Sequence, residues 1–140
     1  MIGAIIMKRL AGSGFDALNR HNLAKLMAAY AEDSTFIFPG NTPMSGETKG
    51  KKAIEAWFAK VMEQLPEIDF TVKEVYISNI FALGATNNIA VEWDVIEANR
   101  EGKKFHNSGV TTTRIKDGKI VAVRDYISNT DILKEVWGEA

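Results

Sequence analysis

The 140-residue chain contains no cysteine, which excludes disulfide bonds, thiolate catalysis and cysteine-ligated metal centres. Histidine is also scarce, with only His21 and His106. Two histidines and scattered acidic residues do not form a metal-binding pattern, so we predict no metal ion and no cofactor. The lack of cysteine is typical of proteins in a reducing compartment, and we expect a cytoplasmic location.

The sequence has no excess of positive charge and no long hydrophobic run. Its 17 basic residues are balanced by 18 acidic ones and are spread along the chain. Nucleic-acid binding needs a concentrated basic face, so we expect no nucleic-acid partner. The apolar run at residues 2–7 is too short to span a membrane, and its charges follow rather than precede it, unlike a signal peptide. We therefore expect no membrane partner.

Repeats, linkers and low-complexity segments are absent, so we predict a single domain, residues 1–140. Apolar residues at helical spacing predict an N-terminal helix, a second from Leu23 to about Ala31 capped by Asn22, and a third from about Gly50 to Leu65. A short strand is predicted at residues 34–38, with a polar loop at 41–49. Further strands are predicted at 68–78, from 80, 88–98, 103–115 and 119–128, before a last helix capped by Thr130 or Asp131. Helices followed by a strand meander predict an α+β fold. In it, a curved antiparallel sheet wraps around the N-terminal helices as a cone with an internal pocket.

The strand I-A-V-E-W-D-V-I-E at residues 89–97 places two carboxylates on one face. Alternate residues of a strand share a face, so Glu92 and Asp94 lie together while Val91, Trp93 and Val95 lie opposite. If the acids face solvent, this is an ordinary half-buried strand. If they face the inside, they form the wall of an active site.

Three segments resemble the nuclear transport factor two-like superfamily, in its SnoaL-like branch. They are L-A-K-L-M-A-A-Y-A-E-D-S-T-F (23–36), G-K-K-A-I-E-A-W-F (50–58) and R-I-K-D-G-K-I-V-A-V-R-D-Y-I-S (114–128). The resemblance implies a cystatin-like α+β barrel. The branch includes polyketide cyclases, ketosteroid isomerases and limonene-epoxide hydrolases, and the superfamily also includes non-catalytic proteins, so the fold alone does not define the function.

The closest local similarity is to limonene-epoxide hydrolases, which carry one aspartate on a middle strand and another on the last strand. Asp94 and Asp125 occupy these positions, and Glu92 stands where those enzymes have arginine. The resemblance implies that Glu92, Asp94 and Ile96 face the cone. It also implies that three residues of the last strand and four of the preceding one point inward: Val123, Asp125, Ile127, Asn107, Gly109, Thr111 and Thr113.

From this orientation we predict catalytic roles for Asp94 as the acid, Asp125 as the base and Glu92 as a third carboxyl group. Two acids in one apolar pocket acquire separated pKa values, as general acid–base catalysis requires. The predicted substrate-binding residues are Phe36, Phe38, Trp57, Phe58, Ile96, Asn107, Thr111 and Ile127. Epoxide hydrolysis and the isomerisation or cyclisation of a ketone would each use such a site on an apolar oxygenated substrate. The alternatives are a non-catalytic binding protein for a small apolar ligand and a dimeric interaction module.

The same orientation leaves an apolar patch on the outside of the sheet. Val91, Trp93, Val95 and Tyr126 would form it, and exposed apolar patches mark interaction surfaces. We therefore expect a homodimer through this face. His106 is expected to point outward, and His21 to have a structural role at a helix junction.

Overall fold

The computed structural model describes residues 2–79 and 86–140. The strand predicted to begin at Ile80 lies outside these residues. The described elements are α1 (Ile2–Asn19), α2 (Leu23–Ala28), β1 (Tyr30–Phe38), β2 (Gly46–Lys49), α3 (Lys51–Gln64), β3 (Glu67–Ile77), β4 (Asn87–Ala98), β5 (Lys104–Lys116), β6 (Lys119–Ile127) and α4 (Thr130–Trp137). Within these ranges, no helix is both long and apolar enough to cross a membrane.

The six strands form one curved, unclosed sheet in the order β2-β1-β6-β5-β4-β3. Neighbouring strands are antiparallel except β1 and β6, which run parallel. The β5–β6 turn uses Asp117 at φ 51° and Gly118 at φ 77°, the left-handed geometry that suits a two-residue hairpin. The predicted α+β fold is confirmed, with the parallel β1–β6 pair as a difference in detail.

The helices cover the concave side of the sheet, where the core lies. Helix α1 packs on β3, and α3 packs on β1 and β2. The side chains of Ile54, Leu65 and Ile115 are at most 2% exposed. Burial of such side chains supplies most of the stabilisation of a domain of this size.

Three local boundaries differ from the sequence prediction. Residues 46–49 form β2 rather than loop, because their backbone pairs with β1 from Thr35 to Phe38. Helix α2 ends at Ala28 because Tyr30 already belongs to β1. The N-cap of α4 is Asn129, whose side chain accepts a hydrogen bond from the Asp131 backbone N–H. Asn22 caps α2 as predicted, accepting a hydrogen bond from the Lys25 backbone N–H.

The orientation predicted for β4 is wrong. Val91, Trp93 and Val95 face the core and are 2%, 3% and 2% exposed. Glu92, Asp94 and Ile96 therefore lie on the convex outer face. Only one alternate set of a pleated strand can point inward, and here the three apolar side chains do so while the carboxylates keep contact with water.

The outer carboxylates of Glu92 and Asp94 lie among charged and solvent-accessible neighbours. The Lys73 Nζ lies 3.4 Å from Asp94 Oδ2. Lys73 sits at an irregularity in the β3–β4 pairing, between Val72 and Glu74. Glu92 lies opposite Glu74 and Val110 on the adjacent strands. These contacts are those of a solvated strand face.

The predicted dimer surface changes with this orientation. Val91, Trp93 and Val95 are core residues, so the prediction that they lie on the outer face is wrong. Tyr126 is 50% exposed on that face, and Tyr76 and Ile96 are also exposed there. Homodimerisation stays a prediction.

Trp93 is accommodated by Gly109, its partner on β5. A Cβ atom at Gly109 would lie 2.8 Å from Trp93 Cζ2 and would also clash with the Tyr126 carbonyl oxygen. The indole therefore occupies the space that a side chain on β5 would take. Phe70 completes the contact edge-on, with ring centroids 5.1 Å apart.

We expect Gly109→Ala to destabilise the protein by about 1–3 kcal/mol, because a Cβ at this position overpacks the core. The free energy of unfolding from urea denaturation measures the effect. Gly12→Ala is the matched control, since a Cβ there has no heavy atom within 4 Å. As glycine disfavours a helix interior, this control should gain about 0.5–1 kcal/mol. Equal stability of Gly109→Ala and the unmodified protein would contradict this packing.

Candidate functional site

A cavity of about 160 Å³ lies between the helices and the concave face of the sheet. Its walls are largely apolar and aromatic, and they include Leu18, Phe36, Phe38, Trp57, Phe58, Val91, Val95 and Ile127. Among these walls lie a few polar side chains, chiefly Tyr30, Trp93, Glu97, Thr111 and Asp125. An apolar cavity with a small number of placed polar groups is the usual form of a small-molecule site.

One wall is a cluster of aromatic rings from β1 and α3. The Trp57 ring centroid lies 4.6 Å from that of Phe36 and 5.0 Å from that of Phe38. Trp57 Nε1 donates to the Met44 carbonyl oxygen at 2.9 Å, which fixes the indole against the loop before β2. Phe58 contacts Phe36 edge-on with centroids 5.4 Å apart. The Trp57 indole N–H is therefore engaged within the protein, and the wall presents aromatic rings to the cavity.

A directed chain of hydrogen bonds crosses β4, β5 and β6. Trp93 Nε1 lies 2.9 Å from Thr111 Oγ1, and Thr111 Oγ1 lies 2.5 Å from Asp125 Oδ1. An indole N–H can only donate, so the Thr111 hydroxyl accepts from Trp93 and donates its own hydrogen to Asp125. Asp125 Oδ1 is thereby an acceptor, and no hydrogen bond to Oδ2 is found among the described residues.

Burial raises the pKa of Asp125 to about 6, against a smaller lowering by the Thr111 hydrogen bond. The side chain retains some accessible surface because it borders the cavity. A carboxyl group with this pKa is mostly ionised at neutral pH, yet is a stronger base than a solvated aspartate. Catalytic bases are commonly tuned in this way.

Tyr30 borders the same cavity and is only 5% exposed. Burial, with a further contribution from the negative charge of Asp125, raises the pKa of Tyr30 well above its ordinary value. The phenol therefore stays protonated throughout the physiological range. Within the part of the chain that the structure describes, its hydroxyl has no hydrogen-bond partner. The cavity thus holds a base and a proton-carrying donor.

Glu97 is a second carboxyl group on the inward face, following Trp93 and Val95 at strand spacing. Burial raises its pKa to about 7. No ion pair or hydrogen bond engages its carboxyl group among residues 2–79 and 86–140. Glu97 is therefore an unpaired acid at the cavity wall.

Most of the predicted ligand-contacting residues border this cavity, although their roles in binding stay predictions. They are Phe36, Phe38, Trp57, Phe58, Asn107, Thr111 and Ile127, together with the predicted base Asp125. Asn107 has a further task, because its Nδ2 donates to the Asn129 carbonyl oxygen at 2.9 Å. Its amide therefore joins β5 to the start of α4.

Three predicted site residues are not at the cavity. Glu92, Asp94 and Ile96 lie on the outer face, so the predicted Asp94–Asp125 pair does not form. Conversely, sequence reasoning missed Tyr30, Trp93 and Glu97. The alternating sequence of β4 could have indicated Trp93 and Glu97, because these two residues share a face of the strand and point inward together. Tyr30 carried no comparable signal, because residues 23–31 were predicted to be helical.

Neither histidine belongs to the cavity. His21 Nε2 is 2.8 Å from the Leu65 carbonyl oxygen, a contact between the α1–α2 junction and the end of α3. His106 is exposed on β5. Among the described residues, no group of three or more histidine or acidic side chains is placed to hold a metal ion.

Comparison with known families supports the interpretation of the fold. The family model for the SnoaL-like domain matches residues 13–123. The chain belongs to the SnoaL-like domain family. The match covers the cavity-bearing part of the chain through Val123, and Asp125 follows two residues later.

Solved structures of similar proteins show the same fold. A nuclear-transport-factor-two-like protein of unknown function from Burkholderia pseudomallei has a TM-score of 0.77 at 17% identity, covering 93% of this chain and 95% of its own. A Mycobacterium tuberculosis protein in complex with estradiol-17β-hemisuccinate has a TM-score of 0.73 at 23% identity, covering 86% and 92%. A Xanthomonas campestris protein with a cystatin-like fold has a TM-score of 0.72 at 25% identity, covering 94% and 97%.

We expect Thr111→Val to raise the pKa of Asp125 above about 6, because it removes the hydrogen bond that opposes the effect of burial. Carboxyl-carbon NMR titration measures the change. Thr112→Val is the matched control, since that hydroxyl lies on the outer face near the Arg124 carbonyl oxygen at 3.3 Å. An unchanged Asp125 pKa in Thr111→Val would contradict the directed chain from Trp93.

Glu97 should make the protein less stable as pH rises. Its folded pKa of about 7 exceeds the ordinary value of 4.5, so the folded state holds the proton more tightly. The stability linked to this proton is fully present below pH 4.5 and is lost as pH rises through about 7. At pH 8, Glu97→Gln should therefore be more stable than the unmodified protein by up to about 3 kcal/mol, whereas the two should converge near pH 4.5.

Urea denaturation from pH 4.5 to pH 8 measures this difference. Glu92→Gln on the outer face of the same strand is the control, and it should follow the unmodified protein. A constant difference between Glu97→Gln and the unmodified protein across this pH range would rule out the titration of Glu97.

Proposed function

We propose that the protein is an isomerase that moves a proton within a small ketone, with Asp125 as the base and Tyr30 as the hydrogen-bond donor to the carbonyl oxygen. The observation that carries the proposal is the directed chain from Trp93 through Thr111 to Asp125. It engages one carboxylate oxygen of Asp125, and Asp125 borders the cavity together with the protonated phenol of Tyr30.

The chemistry needs no co-reactant. The Asp125 carboxylate takes a proton from the carbon next to the carbonyl group, and the C–H electron pair forms the C=C bond of an enolate. The enolate oxygen accepts a hydrogen bond from Tyr30, which stabilises the developing charge. In a substrate with a C=C bond beside that carbon, the enolate is conjugated, and Asp125 returns the proton to the far carbon of that bond, so atoms and charge balance.

Epoxide hydrolysis is less well supported, because its paired-carboxylate form requires a second acid beside Asp125. Asp94 was the predicted second acid, and it lies on the opposite face of the sheet beside Lys73. Glu97 lies about six residues further along the sheet, roughly 20 Å away by strand spacing. The single base with a neutral phenol suits proton abstraction next to a carbonyl group better.

The size of the cavity supports a small substrate. Its volume of about 160 Å³ is close to the roughly 150 Å³ of an engineered apolar cavity that binds benzene. We therefore propose a substrate with a single ring or a short apolar chain.

Proton–deuterium exchange at the carbon next to the carbonyl group tests the proposal directly. Small cyclic and conjugated ketones are incubated with the protein in D₂O, and exchange is followed by proton NMR. The exchange rate should rise with pH through about 6, as Asp125 ionises. Asp125→Asn should lower it by about 10²–10⁴-fold, the usual contribution of a general base.

Two further variants complete this experiment. Tyr30→Phe should lower the rate by about 10²-fold through the loss of one donor to the enolate. Asp94→Asn, on the outer face, should exchange like the unmodified protein. Exchange that survives in Asp125→Asn, or that falls equally in Asp94→Asn, would overturn the proposal.

The second candidate is a non-catalytic binding protein for a small apolar ligand. The aromatic wall of Phe36, Phe38, Trp57 and Phe58 supports it, because these rings offer contact area without chemistry. Ketones that bind with unchanged affinity in Asp125→Asn, and that the unmodified protein does not exchange, would favour this candidate over catalysis.

A further inference from the structure

Glu97 gives the cavity a second polar region that the proposed reaction does not use. Its side chain borders both the internal cavity and a surface cleft formed by the start of β3 and by Lys104. It therefore lies between the cavity and the protein surface.

The two carboxyl groups of the cavity are far apart along the sheet. Glu97 pairs with Phe105 on β5, whereas Asp125 pairs with Thr111 on the same strand. Six residues of strand separate these two β5 positions, which corresponds to about 20 Å of backbone. A small ligand therefore contacts only one of the two carboxyl groups at a time.

The surroundings of Glu97 favour a positively charged group. In the described part of the chain, Glu97 has neither an ion pair nor a hydrogen-bond partner of its own. The cleft beside it is bordered by Glu67, Asp69 and Lys104, so its charged groups, Glu97 included, are three acidic and one basic. A buried carboxylate without a partner is costly, and a cation from the ligand removes that cost.

The neighbouring polar side chain is already engaged. Asn19 also borders the cleft, but its amide exchanges two hydrogen bonds with the Phe70 backbone, at 3.0 Å and 2.7 Å. Asn19 is thus engaged, and among the acidic residues that border the cleft, Glu97 is the one that also borders the cavity.

We propose that Glu97 binds the protonated amine of a small apolar ligand at this end of the cavity. This amine site is separate from the proposed isomerase site at Asp125 and rests on Glu97 alone. The apolar cavity wall contacts the rest of the ligand, and Glu97 sets its direction.

Isothermal titration calorimetry with two matched probes at pH 7 tests the amine site. The probes are 4-phenylbutylamine, which is cationic, and 4-phenylbutanol, which is its neutral counterpart. The unmodified protein should bind the amine at least about tenfold more tightly than the alcohol, as expected for a charge-assisted hydrogen bond. Glu97→Gln should remove this preference, and Glu92→Gln on the outer face should keep it.

Proton release gives an independent readout. Glu97 is partly protonated at pH 7, since its pKa is about 7, and ammonium binding requires the carboxylate. Amine binding should therefore release a fraction of a proton, seen as a dependence of the binding enthalpy on the ionisation enthalpy of the buffer. Glu97→Gln should show no such dependence.

Three results would overturn the inference: no binding of the amine to the unmodified protein, equal affinity for amine and alcohol, or an amine affinity unchanged in Glu97→Gln. The test is separate from that of the proposed function. Amine binding that depends on Glu97 in a protein without exchange activity would refute the isomerase and keep the amine site. Exchange activity without amine preference would do the reverse.

Discussion

The packing of Trp93 against Gly109 is the interaction on which the rest of the site depends. The indole fits over β5 only because position 109 has no side chain. Once Trp93 points inward, the pleat of β4 sends Glu92 and Asp94 to the outer face and Glu97 to the cavity. The same indole donates the hydrogen bond that orients Thr111 toward Asp125. One packing choice therefore determines which acids can act in the cavity.

Much of the fold follows from local sequence patterns. The spacing of apolar residues in α3, the Asn22 cap of α2 and the Asp117-Gly118 turn each specify their element without tertiary information. Element type was therefore predictable over most of the chain. The ends were less so, because β2 exists only through its pairing with β1, and such pairing leaves little trace in four residues.

The site was predictable in part. Asp125 and the aromatic residues of β1 and α3 could be predicted to border the cavity, because the segments that carry them resemble those of a known family. The positions of Glu92 and Asp94 on β4 could not be predicted in the same way. An alternating sequence shows which residues share a face of the strand but not which face points inward. The strand faces inward with the set of side chains whose burial has the lower free energy. Burial of three large apolar side chains is favourable, whereas burial of two carboxylates would cost their hydration. The orientation of Tyr30 depended on where β1 begins, which the helical pattern of residues 23–31 concealed.

The proposed proton transfer requires that Asp125 be a desolvated base in a cavity rather than a solvated surface acid. Its own ionisation in the unmodified protein is the most direct measurement, made by carboxyl-carbon NMR titration with Asp125→Asn to assign the resonance. We predict a pKa of about 6 for Asp125. A value near the ordinary 3.8 would mean that Asp125 is open to solvent, and it would contradict both the cavity site and the proposed proton transfer.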